Sequence, residues 1–132
     1  MSTESVSAPT EVTLCFPAAS ERVRLARVVA ATLADEAGFD YDEVEDVRIA
    51  VDELCFALLD AGATVGTLDI SATSEPGQLR ISGTCTFAAD ARPSDDEANA
   101  ELTAQILGTV VDEYDIHFAG TTGRFSLRKA RS

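Results

Sequence analysis

No apolar run in the 132 residues approaches the ~20 needed to span a bilayer as a helix. The first ten residues, MSTESVSAPT, are small and polar rather than basic and then apolar, so they do not have the pattern of an export signal. Together these absences predict a chain that stays in the cytoplasm. Positive charge is also scarce: 10 Lys and Arg stand against 23 Asp and Glu, for a formal net charge of -13. Such a field repels phosphate backbones and anionic membranes, which excludes nucleic acid and membrane surfaces as partners. The acidity either keeps the protein soluble or steers a basic partner toward it. Cysteine is sparse and unpaired. Cys15, Cys55 and Cys85 form an odd set without a CxxC spacing, each in an apolar stretch, and read as buried thiols in a reducing compartment. The single histidine, His117, is far in sequence from any of them, so no metal site is expected.

What is present is the composition of one folded domain. The chain is 45% hydrophobic and 25% charged, and its length suits a single core. Residues 1–10 have no hydrophobic period and are expected to be a disordered tail, leaving 11–132 as the domain. Glu11 to Phe16 alternates, as a strand would, with Val12, Leu14 and Phe16 on the core side. Ser20 is placed to cap a helix running to about Ala37, on the stripe Val23, Ala26, Ala30, Leu33, Ala34, with Gly38 as its stop. Asp40 and Glu43 form a capping box for a second helix whose apolar positions are Val44, Val47, Val51, Leu54 and Leu58. From Thr67 the period changes to two, and Glu75-Pro76-Gly77 turns the chain into Leu79–Cys85, an antiparallel hairpin. A charged loop over 88–98 precedes a third helix expected to end near Glu113. Asp115–Ala119 and Arg124–Lys129, joined through Gly120-Thr121-Thr122-Gly123, make a last hairpin. This order predicts an α+β, two-layer sandwich: a mixed, mainly antiparallel sheet covered on one face by three helices.

The stretch Gly38-Phe39-Asp40-Tyr41-Asp42-Glu43-Val44-Glu45-Asp46-Val47-Arg48-Ile49-Ala50-Val51-Asp52-Glu53-Leu54-Cys55 resembles the anti-sigma-factor serine kinases. These share an ATPase superfamily with histidine kinases, gyrase-type enzymes and the Hsp90 chaperone. The resemblance implies the histidine-kinase-like ATPase fold and, for an intact member, ATP with Mg²⁺ as cofactors. It also implies a glutamate that activates a hydroxyl or water, and Glu53 matches it. One turn later the family has an asparagine that holds Mg²⁺; this chain has Ala57, which offers no oxygen to a hard cation. The aspartate that reads adenine falls on Cys85, with no glycine from Thr84 to Ala91, and Asp90 could replace it only through a bulge. The glycines that open the last helix fall on Glu101 and Thr103. The nucleotide-binding pocket therefore reads as degenerate, with neither ATP nor Mg²⁺ expected.

Each of these residues also has a plain structural reading. Glu53 sits among Glu43, Glu45, Asp46 and Asp52 and would suit a solvated helix face. Cys85 has only Thr84 and Thr86 beside it, with no positive charge to activate a thiol. Gly120 and Gly123 suit a hairpin turn better than a phosphate loop. The resulting expectation is an anti-sigma-factor-like regulator that binds a protein, a sigma factor or an anti-sigma antagonist, without ATP turnover. The alternatives are an ATP-dependent serine kinase using Glu53 and a homodimeric scaffold with no sigma-factor link. Arg22, Arg24 and Arg27 gather much of the scarce positive charge on the first helix and mark it, with its flanking strand, as the partner or dimer surface.

Overall fold

The structure, a computed structural model, describes residues 9–92 and 97–131. Most of the tail expected over 1–10 lies outside the described residues, as do 93–96 of the charged loop. Thr10 already belongs to the first strand, β1 (Thr10–Pro17). There follow a 3-10 turn (Ser20–Arg22), helix α1 (Val23–Glu36), helix α2 (Tyr41–Leu59), strands β2 (Thr64–Glu75) and β3 (Gln78–Phe87), helix α3 (Glu97–Val110), and strands β4 (Glu113–Ala119) and β5 (Thr122–Ala130). The five strands lie in the order β1-β2-β3-β5-β4. Every pairing is antiparallel, so the parallel component allowed for in a mixed sheet is absent among the described strands.

Alternation sorts the strands into two faces. Leu68, Ile70 and Ala72 of β2, Leu79, Ile81, Cys85 and Phe87 of β3, and Phe125 and Leu127 of β5 are buried under the helices. Their neighbours Asp69, Arg80, Ser82, Thr84, Arg124 and Ser126 are exposed on the other face. This is the two-layer α+β sandwich expected from the period changes. Because β1 alternates too, burying Phe16 turns Cys15 outward. Cys15 is therefore exposed, which corrects its reading as a buried thiol; Cys55 and Cys85 are buried. Burial raises the Cys55 thiol to about 12, helped by the Asp52 carboxylate, and Cys85 to about 11.

Helix α1 packs on α2 and the sheet through small residues, Ala26, Ala30, Ala34 and Ala37, which let the backbones approach closely. Ser20 does not cap it: neither the 3-10 turn nor α1 has a side-chain cap, since the turn absorbs the exposed N–H groups instead. At the other end the sequence signal holds. Gly38 has φ 90, its N–H donates to the Asp35 carbonyl, and the Phe39 N–H donates to the Ala34 carbonyl. This is a Schellman closure, with Phe39 buried beneath it. Helix α2 starts with the full capping box: the Asp40 side chain accepts from the Glu43 N–H at 2.8 Å, and the Glu43 carboxylate accepts from the Asp40 N–H at 3.0 Å.

Three further boundaries differ from expectation. Strand β2 begins three residues early, with a bulge between Val65 and Leu68 that periodicity does not show. Helix α3 stops at Val110 rather than near Glu113, which already opens β4. Lys129 of β5 fixes that stop: its ammonium donates to the Val110 carbonyl at 2.8 Å and lies 3.7 Å from Asp46 of α2, tying three elements together. The final turn is narrower than the four residues assigned to it, since β5 starts at Thr122. Gly123 is a strand residue whose missing side chain leaves room for Leu58, Phe87 and Phe118; a Cβ there would lie 2.8 to 2.9 Å from all three.

Candidate functional site

Helix α2 has two working sides. One, carrying Val47, Ala50, Val51, Leu54, Cys55 and Leu58, is buried in the core. The adjacent side carries Glu53 and Ala57 and leads to the C-cap Asp60, spaced at i, i+4 and i+7, so helical geometry aligns them along one edge. That edge forms one wall of a cavity of about 320 Å³. Asn99, Ala100 and Thr103, at the start of α3, form the facing wall, while Ile116 and Phe118 of β4 and Phe56 of α2 add apolar surface. The volume is within the range of small-molecule sites.

The cavity collects some of the residues singled out in sequence and not others. Glu53, Ala57 and Thr103 line it. Glu101 does not; it is exposed on α3, and the second carboxylate of the cavity is Asp60, which sequence reasoning missed. The spacing of seven from Glu53 was the available signal. Cys85 lies in the core, on the helix side of β3, and β3 stays in register with β5 through Thr86. No bulge there brings Asp90 inward; Asp90 is exposed. Gly120 and Gly123 belong to the β4–β5 hairpin and its strand.

The donor set does not suit a magnesium triphosphate. Ala57 presents a methyl group to the cavity, which offers no oxygen to a hard cation. Among the described residues, the lining has two carboxylates and no lysine or arginine. The first turn of α3 brings the positive end of its dipole to the wall, equivalent to about half a charge, which two carboxylates outweigh. Among the described residues, no group of three or more His, Cys, Asp or Glu is arranged to hold a metal ion.

The arginines of α1 divide. Arg27 reaches across to α2, where its Nε lies 2.9 Å from Asp52 Oδ1, with about a third of each side chain exposed. Arg22 and Arg24 are exposed, without an ion pair to another described residue. Beside them are Leu25 and Val28, large apolar side chains 39% and 61% exposed. Sequence reasoning passed over these two because they fall off the α1 core stripe, and that displacement was itself the sign of an outward apolar patch.

Residues 16–124 match the family model for the histidine kinase-like ATPase domain. The chain belongs to that family. It is also similar to two proteins named serine-protein kinase RsbW. With that of Halalkalibacterium halodurans it shares 35% identity over 65 residues, 46% of this chain and 40% of the relative. With that of Bacillus cereus it shares 38% over 45 residues, 34% of this chain and 28% of the relative. The matched stretches thus span less than half of either kinase. No described helix is long and apolar enough to cross a membrane.

Proposed function

We propose that this histidine kinase-like ATPase domain is a transcription regulator that works by binding a protein, a sigma factor or an anti-sigma antagonist, without turning over ATP. The observation carrying this reading is the wall of the α2–α3 cavity, where Ala57, at the position the resemblance gives to a metal-binding asparagine, offers no oxygen and Glu53 and Asp60 supply negative charge. The scaffold around it has a capping box on α2, a Schellman closure on α1 and a packed core, so docking surfaces can persist without nucleotide chemistry. Similarity to the serine-protein kinases RsbW supports a role in the same regulatory class. The outer side of α1, with Leu25 and Val28 beside Arg22 and Arg24, is the surface best suited to a partner: apolar area for affinity and the rarer charge for orientation.

A pull-down from the native host, without added nucleotide, tests this reading. It should recover a sigma factor or its antagonist in stoichiometric amount. Arg24→Glu together with Val28→Asp should abolish the association. Arg27 is left intact because Arg27→Glu would set a second carboxylate against Asp52 and confuse docking with folding. Undiminished binding by the double variant would remove α1 as the surface. Failure to recover either class of protein would remove the function. The position of Glu53 in the cavity favours one other reading, an ATP-dependent serine kinase. Phosphate transfer to a serine of the antagonist, lost in Glu53→Gln, would establish that reading in place of ours.

A further inference from the structure

The α2–α3 cavity has a shape and charge pattern of its own. Glu53 and Asp60 stand on one wall with Ala57 between them. Asp60, the exposed C-cap residue of α2, follows Glu53 by seven positions in helical backbone, about 10 Å along the axis. Phe56 and Phe118 line the same space, both half-buried, so their ring surfaces are available to a ligand. Among the described residues, the lining thus has two carboxylates about two helical turns apart, with an apolar, aromatic stretch between and no basic side chain. A nucleotide meets this pattern with the wrong sign of charge. An aliphatic chain with a positive group near each end meets it with the right one.

We propose that the cavity binds a free linear polyamine of about the length of spermidine. One terminal ammonium is held by Glu53 and the other by Asp60, with the methylenes over Ala57 and the internal ammonium against the faces of the phenyl rings. Extended spermidine is about as long as the two helical turns between the acids. The ammonium groups gain charge-assisted hydrogen bonds, the methylenes leave water, and the rings attract the cation through their faces. The half-charge of the α3 dipole opposes binding, but two full carboxylates exceed it. The proposal does not depend on which protein α1 meets.

The net charge of -13 would draw any polyamine loosely to the surface, so the test must separate the cavity from the general field. Calorimetric titration of the full chain with spermidine, at about 0.15 M salt to screen distant charges, should give saturable 1:1 binding. Glu53→Gln and Asp60→Asn should each weaken it about tenfold, the loss of one charge-assisted hydrogen bond. The shorter putrescine, which cannot reach both acids, should be weaker by a similar factor. Ala57→Leu should block binding with no change in charge. Asp35→Asn, which removes an exposed carboxylate from α1 outside the cavity, should leave affinity within about twofold of the parent. Equal losses for Asp35→Asn and Glu53→Gln would reduce the effect to the overall field and overturn the proposal. So would full affinity in a folded Ala57→Leu protein, or absence of saturable binding by the parent.

Discussion

Helix α2 meets its two neighbouring helices in opposite ways. Toward α1 it is closed: alanines on α1 and Ala50 on α2 bring the backbones together, and Arg27 crosses to Asp52. Toward α3 it is open, and Glu53, Ala57 and Asp60 face a cavity of about 320 Å³. The same helix therefore supports the fold on one side and presents chemistry on the other. A substitution on the closed side is felt by the whole domain, whereas one on the open side is felt chiefly by whatever enters the cavity. Such a division lets side chains on the open side vary while the scaffold stays intact.

The comparison breaks if both sides of α2 respond alike, and a pair of variants tests that with the largest expected effect. Leu54→Ala, at a fully buried position, should destabilise by about 2 to 5 kcal/mol in denaturant unfolding, through lost burial and the cavity left behind. Ala57→Leu, one turn away on the open side, should change stability by less than about 1 kcal/mol, because its added methyls enter existing space. Comparable losses in the two would show that the cavity wall is part of the packed core.

Lys129 sharpens the comparison next, since it joins β5 to α2 and to the end of α3. Lys129→Met keeps most of the side-chain volume but leaves the Val110 carbonyl without its charged donor. The expected cost is about 1 to 3 kcal/mol, read as a lower urea midpoint. The α3 amides should exchange faster than those of α1 in this variant, since the tie lies at the α3 end.

Smaller effects are expected from titration within the closed region. The Cys55 and Cys85 thiols are held up to about 12 and about 11, against an ordinary 9.0. Between pH 9 and those values the unfolded chain binds fewer protons than the folded one, so stability falls as pH rises through this window. Cys55→Ala should make that fall shallower. At neutral pH a thiol reagent should label Cys15 quickly and the two buried cysteines only on unfolding. The smallest effect belongs to the Arg27–Asp52 pair, about a third exposed at both partners, where Arg27→Met should cost less than about 1 kcal/mol.

Much of the architecture was legible in sequence because local signals agreed. Gly38 closes α1, Asp40 and Glu43 open α2, and Pro76-Gly77 turns β2 into β3, each a device that works over a few residues. The misplaced features depend on partners distant in the chain. The end of α3 is set by Lys129, nineteen residues on, and Gly123 is small because Leu58 and Phe118 need its space. Cys15 was misread for a different reason: its apolar neighbours were given more weight than the alternation of Glu11 to Phe16, which already turns Cys15 away from the core. In the cavity, Glu53, Ala57 and Thr103 could be found from the family pattern. Asp60 had only its spacing from Glu53 as a signal, and Ile116 and Phe118 had none, since β4 joins the cavity only through the tertiary fold.

The central claim is that the open side of α2 no longer serves a magnesium nucleotide. Thermal unfolding of the full chain with millimolar ATP and Mg²⁺ tests it most directly. A ligand at about 100 times its dissociation constant stabilises the folded state by ~2.7 kcal/mol and raises Tm by several degrees in a domain of this size. The account predicts the same Tm with MgATP as with Mg²⁺ alone. A saturable rise in Tm that Glu53→Gln removes would contradict it.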